Sequence, residues 1–573
     1  MPASSTTVVG HGGDLTLVAH RGDRAVLLAM DLPEAATNRL AGFALFRKPP
    51  GGTSRPLYNR LDFTTPIVAG TTPQERRWHP SDKAPFQKFR WVDIPPDIKD
   101  GDYTYTATAM YFDANGKPVA GDSASVTLDI AREPAERLSV GFTRGYMSSQ
   151  AYHDKFHNEP FHPEPQTIDF DTQPYQKKYK WLGFHARELI DGFLDDCVND
   201  PTIDVDIYAY DLNDPEIIGA MKALGPRLRL LLDNATLHRD TTPKPPAKPK
   251  HVLETDADAA VRASGAAVVR GRFQRFAHSK VFIAKRNGAA LRVLTGSTNF
   301  SLRGLYVQAN NVLVFDSPAV AAWFETAFEQ SWTTAGMKSF AASDIAKDWH
   351  ELPAAGLPPG AIAFSPHTSS DISLKRVSDA IRGASSSLLF SVMGLDGGGD
   401  VLAELRGQMS NPGLFSYGMT QAGNSYLQLY KPGSRRAIRV TFAYLKDKVP
   451  PPFSAEIAGG SGQVIHDKFV VVDFNGKNPR VYTGSSNLAS GGEEENGDNL
   501  IELRSAEVAA LYAVEAVRQI DHFHFRAAMQ TATSADPLVL KGADKWHEWV
   551  KPYYDPNDLK SLDRQLFAAV PPV

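Results

Sequence analysis

Residues 276–315 read FAHSKVFIAKRNGAALRVLTGSTNFSLRGLYVQANNVLVF, and residues 464–503 read VIHDKFVVVDFNGKNPRVYTGSSNLASGGEEENGDNLIEL. The two stretches align without a gap at an offset of 188 residues: His278 falls on His466, Lys280 on Lys468, Gly296-Ser297 on Gly484-Ser485 and Asn299 on Asn487. Matching apolar residues would mean only a shared strand, whereas agreement at polar positions points to a repeated site. Side chains of an extended segment alternate, so the His and Lys of each His-x-Lys share one face while Ser279 or Asp467 takes the other. The apolar runs 281–283 and 469–472 predict strands covered on both faces. Asn287-Gly288 and Asn475-Gly476 predict hairpin turns. The chain then returns through 291–294 and 481–482, with G-S-x-N at the end of the return strand. There, backbone N–H groups, hydroxyls and an amide meet the His–Lys pair, which makes a phosphate-binding set.

Outward from these repeats the chain keeps an α/β grammar. Residues 203–210 predict a strand. Asp214-Pro215-Glu216 is a helix start, with an N-cap carboxylate and proline in the first turn. Ile217, Ile218, Met221 and Leu224 follow at helical spacing and 228–232 is the next strand, completing a β-α-β unit. The pattern returns as strand 388–392, a Gly397-Gly398-Gly399 loop, helix 401–405 and strand 438–443. The prolines from Pro353 to Pro366 read as a linker, and 241–250 as an extended surface loop.

Residues 1–135 follow a different rule. Tyr103, Tyr105, Ala107, Ala109 and Tyr111 alternate with Thr104, Thr106 and Thr108, which gives one buried and one polar face. Asn115-Gly116 supplies a turn and Val126, Leu128 and Ile130 resume the alternation. With earlier strands at 15–18, 25–30 and 43–46, this block is expected to be a small β-sandwich whose pattern resembles a fibronectin type III or immunoglobulin-like module.

At 573 residues, 42% hydrophobic and 22% charged, the chain has the composition of an ordinary globular protein and supports several domains. A net charge of -4 disfavours a protein that coats polyanions. Cys197 is the only cysteine, which removes internal disulfides, Cys-rich zinc sites and iron–sulfur clusters. The first residues show no basic segment followed by an apolar run, and no apolar stretch reaches the length of a membrane span. The expectation is a cytoplasmic protein, or one exported by a non-classical route.

The doubled His-x-Lys and G-S-x-N set resembles the phospholipase D superfamily of phosphodiesterases, over residues 140–530. The resemblance implies two similar α/β domains, 136–345 and 346–573 with a C-terminal extension, forming one central site behind the sandwich. It assigns catalysis to His278, Lys280, Asn299, His466, Lys468 and Asn487, through a covalent phosphohistidine. Asn310 and Asp498, each eleven residues beyond a motif Asn, stand where the family orients its histidines. Because a carboxylate favours imidazolium and an amide does not, His466 is expected to pair with Asp498 as general acid and base, leaving His278 as nucleophile. Ser297 and Ser485 are expected to bind substrate. No metal and no cofactor is expected: each His comes with a lysine that repels a cation, and no H-E-x-x-H motif is present. The family's Asp after the Lys is kept as Asp473 but replaced by Lys285 in the first copy, a position read as structural.

The expected substrate is a glycerophospholipid, hydrolysed or transphosphatidylated by a monomer with peripheral membrane contact. Phe453 and Ile457 are candidate lipid contacts, although loop anchoring ranks ahead for both. A metal-independent nuclease of the same superfamily and a noncatalytic phosphate- or membrane-binding protein are the alternatives. Arg262, Arg270, Arg272, Arg275, Lys280, Lys285 and Arg286 form a stretch without acids that suits a polyanion or an anionic surface. Glu493-Glu494-Glu495 reads as a solvated run, and Asp521-His522-Phe523-His524 as a structural segment.

Overall fold

The alternation around Tyr103 folds as expected, into a strand, Asp102–Phe112, with Tyr103, Tyr105, Ala107 and Ala109 fully buried. Its outward hydroxyls pair across to the strand Pro118–Asp129: Thr104 with Thr127 (3.0 Å), Thr106 with Ser125 (2.8 Å) and Thr108 with Ser123 (2.7 Å). Two four-stranded antiparallel sheets stack here over one apolar core. The structure is a computed structural model and describes residues 6–69, 71, 78–242, 248–393, 398–422, 426–430, 438–441 and 464–570.

Two larger sheets follow. The first has seven strands in the order Leu138–Phe142, Asn311–Phe315, Ala289–Gly296, Val281–Arg286, Ile203–Ala209, Leu228–Asp233 and Ala267–Gly271. The second has nine: His350–Glu351, Gly360–Ser365, Asp498–Leu503, Arg480–Gly484, Phe469–Val472, Ser387–Val392, Phe415–Ala422, Tyr426–Tyr430 and Ile438–Thr441. In both, the strand that follows His-x-Lys lies between its hairpin partner and an antiparallel strand from the preceding β-α-β unit. Val281 to Ala284 and Phe469 to Val472 are buried, as runs apolar on both faces require. The helix Pro215–Leu224 starts where the sequence places it, with the Asp214 carboxylate accepting from the N–H groups of Glu216 and Ile217.

Two expectations are corrected. The parallel partner of Ser387–Val392 is Phe415–Ala422, not 438–443, and Ile438–Thr441 forms the sheet edge. The polar sequence FSYGMTQA hides a central strand because Gly418 leaves room for the Phe390 ring, which a Cβ there would meet at 2.3 Å. The proline-rich stretch is not a free linker, since Gly360–Ser365 pairs with Asp498–Leu503. The C-terminal extension reaches both neighbours: its last helix packs on the second sheet, Phe567 against Phe415 and Phe474, with Asn475 Nδ2 donating to Leu566 O (3.1 Å). After the helix Ala506–Thr531 the chain crosses to the sandwich, whose core includes Trp549, Val550 and Tyr553. Trp549 donates its indole N–H to Leu40 O (3.1 Å), and Arg90 joins Asp521 (2.6 Å) and Asp563 (2.8 Å). Asp521 is thus structural, as expected. Loop residues Gly397, Phe453 and Ile457 lie outside the described residues.

Candidate active site

His-x-Lys lies just before each buried strand rather than within it, because the ladder begins at Val281 and Phe469. The segments are held instead by the opposite half. Ala277 bridges Gly497, with His278 N–H donating to Gly497 O (2.9 Å); Ala309 bridges Ile465, with His466 N–H donating to Ala309 O (3.1 Å). Each histidine therefore docks beside the residue that precedes the other half's orienting side chain. Gly296 and Gly484 close the return strands at φ 145° and 130°, and a Cβ at either would meet a backbone oxygen at 2.4 or 2.5 Å. Polar contacts repeat about the same axis: Thr295 Oγ1 donates to Asn499 Oδ1 (3.2 Å) and Asn311 Nδ2 to Thr483 Oγ1 (3.2 Å).

This docking crosses the expected pairs. His278 Nδ1 is 2.7 Å from Asp498 Oδ1, and His466 Nδ1 is 2.9 Å from Asn310 Oδ1. The expectation that Asp498 serves His466 is overturned, because proximity in sequence is not proximity across the interface. His278, Lys280, Asn299, His466 and Lys468 are all buried around the junction, and the positive charges of Lys280 and Lys468 act on both imidazoles.

Burial decides the protonation of these groups. Both imidazoles are held well below their ordinary range, first by desolvation and then by the two lysines. Lys468 is pushed down to about 7 by burial and Lys280 well below the usual lysine range, while burial pushes Asp498 up to about 7. A site so short of stable positive charge favours neutral imidazole, and an entering phosphate anion supplies the charge that keeps both ammonium groups protonated. The amide oxygens of Asn299 and Asn487 are buried without hydrogen-bond partners.

Ser297 and Ser485 are corrected from substrate contacts to supports. Both are completely buried; Ser297 Oγ donates to Asn310 Oδ1 (2.8 Å) and accepts from Asn311 N–H (3.0 Å), while Ser485 Oγ accepts from Asn499 N–H (3.0 Å). Asp473 is structural, taking the N–H groups of Ser385 and Ser386 at 2.8 Å each. In the first copy Lys285 instead pairs with Asp206 (2.7 Å). The basic stretch is largely neutralised: Arg262 by Asp258 (2.6 Å), Arg275 by Glu495 (3.3 Å) and Arg286 by Asp200 (2.6 Å). Glu493 is not solvated. It is buried, accepting from Ser373 Oγ (2.5 Å) and Ser486 Oγ.

Sequence reading missed Tyr210, whose ring lies against His278, and the groups Asp211, His238 and Glu254, whose ligand atoms all lie within 4.8 Å of one another. No spaced motif announces either feature, since strand topology assembles them. Burial and Glu254 push Asp211 up to about 7, Ser301 Oγ donates to Asp211 (2.8 Å), and His238 Nδ1 is 3.2 Å from Glu254. Lys280 and Arg270 further oppose positive charge at His238. A second acidic group, Asp206, Glu325 and Glu329, is already cross-linked by Lys285 and Arg229.

Residues 195–332 match the family model described as cardiolipin synthase, PLD-like domain. That match covers the first His-x-Lys and its G-S-x-N, and it supports assigning this region to the phospholipase D superfamily. No curated protein matches it. Among solved structures it is similar to phosphatidylserine synthase from Haemophilus influenzae, at 13% identity and TM-score 0.39, covering 66% of this chain and 90% of that one. It is also similar to Nuc, a phospholipase D family member from Salmonella typhimurium, at 19% identity and TM-score 0.19, covering 25% and 85%. A third is polyphosphate kinase from Porphyromonas gingivalis, at 9% identity and TM-score 0.36, covering 60% of this chain and 48% of that one. The chain thus spans about half of that kinase.

Proposed function

We propose that this protein is a phosphodiesterase of phospholipase D type that hydrolyses or transphosphatidylates glycerophospholipids through a phosphohistidine. The observation that carries this reading is the convergence of His278 and His466 at one buried junction, each oriented by a residue of the opposite half.

His278 is the nucleophile, for a reason opposite to that expected from sequence. With Nδ1–H donated to Asp498, its neutral Nε2 is free to attack phosphorus, and the carboxylate stabilises the positive ring that results. The entering phosphate anion offsets the two lysines and lets His466 take up a proton at Nε2; as the P–O bond to the leaving alkoxide breaks, the His466 imidazolium supplies that proton. Asn310 adds no negative charge, so His466 stays a strong acid. In the return step neutral His466 takes a proton from water or an alcohol, whose oxygen attacks phosphorus and frees His278. Lys280, Lys468, Asn299 and Asn487 hold the nonbridging oxygens as charge develops.

We read residues 136–345 and 346–573 as duplicated halves, the second carrying a C-terminal extension that helps to complete the sandwich core, and 1–135 as a fibronectin type III-like positioning module, the whole acting as a monomer that touches membranes peripherally. No helix among the described residues is long and apolar enough to cross a membrane. The ion pairing of the basic stretch favours a lipid over a polynucleotide, because few of its cations remain to follow a phosphate backbone.

The test is purified protein against phosphatidylcholine vesicles and against single- and double-stranded DNA, each with chelator and with His278→Ala. Chelator-resistant choline release that disappears in the variant is expected. DNA cleavage alone would establish the nuclease, and inactivity on every diester the binding protein.

A further inference from the structure

Tyr210 follows the strand Ile203–Ala209 and its ring is the meeting point of the first half-site. The ring meets the His278 imidazole edge-on, centroids 4.6 Å apart at 74°, and Lys280 Nζ lies 4.7 Å from its centroid. On its other sides stand His238, at 4.3 Å, and Phe276, at 5.6 Å. Tyr210 is thereby fixed from behind while touching both reactive groups of the first His-x-Lys.

The chemistry of that contact suits its place. Lys280 is 1% exposed, donates to His278 O, and must keep a proton beside Lys468. A carboxylate would hold the ammonium but would compete with an incoming phosphate. An aromatic face attracts the cation without carrying a net charge, so the full charge stays available to an anion. Among the described residues the second half shows no such aromatic face at its lysine. Strand pairing places Tyr208 opposite Val281 and Ser391 opposite Phe469; extended by two residues, the same register puts Met393 at the place of Tyr210. Lys468 Nζ is instead 3.3 Å from His466 Nδ1 and 2.7 Å from His466 O.

We infer that Tyr210 is a positioning residue for the His278 half alone, its ring fixing the nucleophilic imidazole by a near-perpendicular contact and its face holding the Lys280 ammonium toward the phosphate. This rests on the phosphodiesterase reading above. The groups that face Lys280 electrostatically are Lys468, His278, Asp498, Asp211 and Asp233. None is removed by substituting Tyr210, so a change in charge on Lys280 reports the ring.

The experiment compares wild type, Tyr210→Phe and Tyr210→Met, the last installing the residue of the second half. Tungstate binding is measured by calorimetry from pH 6 to 9, and hydrolysis of bis(p-nitrophenyl) phosphate gives kcat and KM. Losing the ring face favours loss of the Lys280 proton, so the alkaline fall in tungstate affinity should move to lower pH in Tyr210→Met. Its kcat should drop about tenfold, the loss carried by a desolvated cation–π contact, with KM nearly unchanged. Tyr210→Phe should restore both. Tyr210→Met indistinguishable from an active wild type would overturn the inference and leave the phosphodiesterase intact. A Phe variant as impaired as the Met variant would also overturn it, by moving the role to the hydroxyl. A wild type that neither binds tungstate nor cleaves the diester removes the phosphodiesterase reading, and the inference with it.

Discussion

His278 and Asp498 are separated by 220 residues and joined by a 2.7 Å hydrogen bond that runs between the two halves of the site. The bond fixes the tautomer that leaves Nε2 free. Asp498→Asn keeps the shape but removes the charge and allows the wrong tautomer. Activity on the diester should fall about a hundredfold to ten-thousandfold, as happens when a histidine loses its orienting carboxylate. Circular dichroism should show the fold unchanged.

Asn310→Asp makes the reciprocal change at His466. A carboxylate beside Nδ1 raises the histidine's proton affinity, so the leaving-group proton is retained to higher pH. The alkaline limb of the rate profile should therefore move up by roughly one unit, while the return step slows on the acid side because His466 must be neutral to accept a proton. A profile that does not move would show that His466 is not the general acid.

The division of labour predicts where phosphate is trapped. Rapid acid or alkaline quench during turnover of a slow diester should place phosphorus on His278, and His466→Ala should accumulate that species with activated substrates. Peptide mapping checks the site. Phosphate on His466 would reverse the assignment.

Lys468 is a stability cost. Its folded-state proton affinity is lowered to about 7 by burial, so between that pH and the ordinary lysine range the unfolded chain binds more protons. Stability should then rise with pH across this window. Lys468→Met should abolish activity, raise stability by about 1–4 kcal/mol as apolar replacement of a buried charge does, and flatten the alkaline slope. Denaturant melts at pH 7 and 9 measure both effects.

Asp473 separates structure from chemistry. Truncation to Ala leaves the N–H groups of Ser385 and Ser386 without their acceptor, which should cost about 1–3 kcal/mol in chemical denaturation. The kcat should stay within a few-fold of wild type.

Much of the site was legible because its chemistry repeats in sequence. His278, Lys280 and Asn299 meet their counterparts at a fixed offset, and the apolar runs after each His mark their strands. The alternation at Tyr103 likewise carried the sandwich. What sequence hid was decided by packing between distant segments. Asp498 was assigned to its neighbour in the chain, whereas the Ala277–Gly497 bridge delivers it to His278. Ser297 and Ser485 look like ligands until their hydroxyls are seen to be occupied. Tyr210 carries no motif, and the strand Phe415–Ala422 is too polar to announce its burial. Charge runs misled for a related reason: Glu495 and Arg275 answer one another across the junction.

The return of the C-terminal segment to the sandwich also sets a schedule for biosynthesis. Tyr103 and Tyr105 leave the ribosome early, yet their core includes Trp549, Val550 and Tyr553. At typical elongation rates the intervening chain takes roughly 20–90 seconds to emerge. The sandwich must wait through that interval with part of its apolar interior uncovered, so its core is completed only after both larger sheets have been translated. Chaperone dependence and ribosome-bound protease sensitivity should therefore concentrate in residues 6–130 and end once the residues around Tyr553 become available.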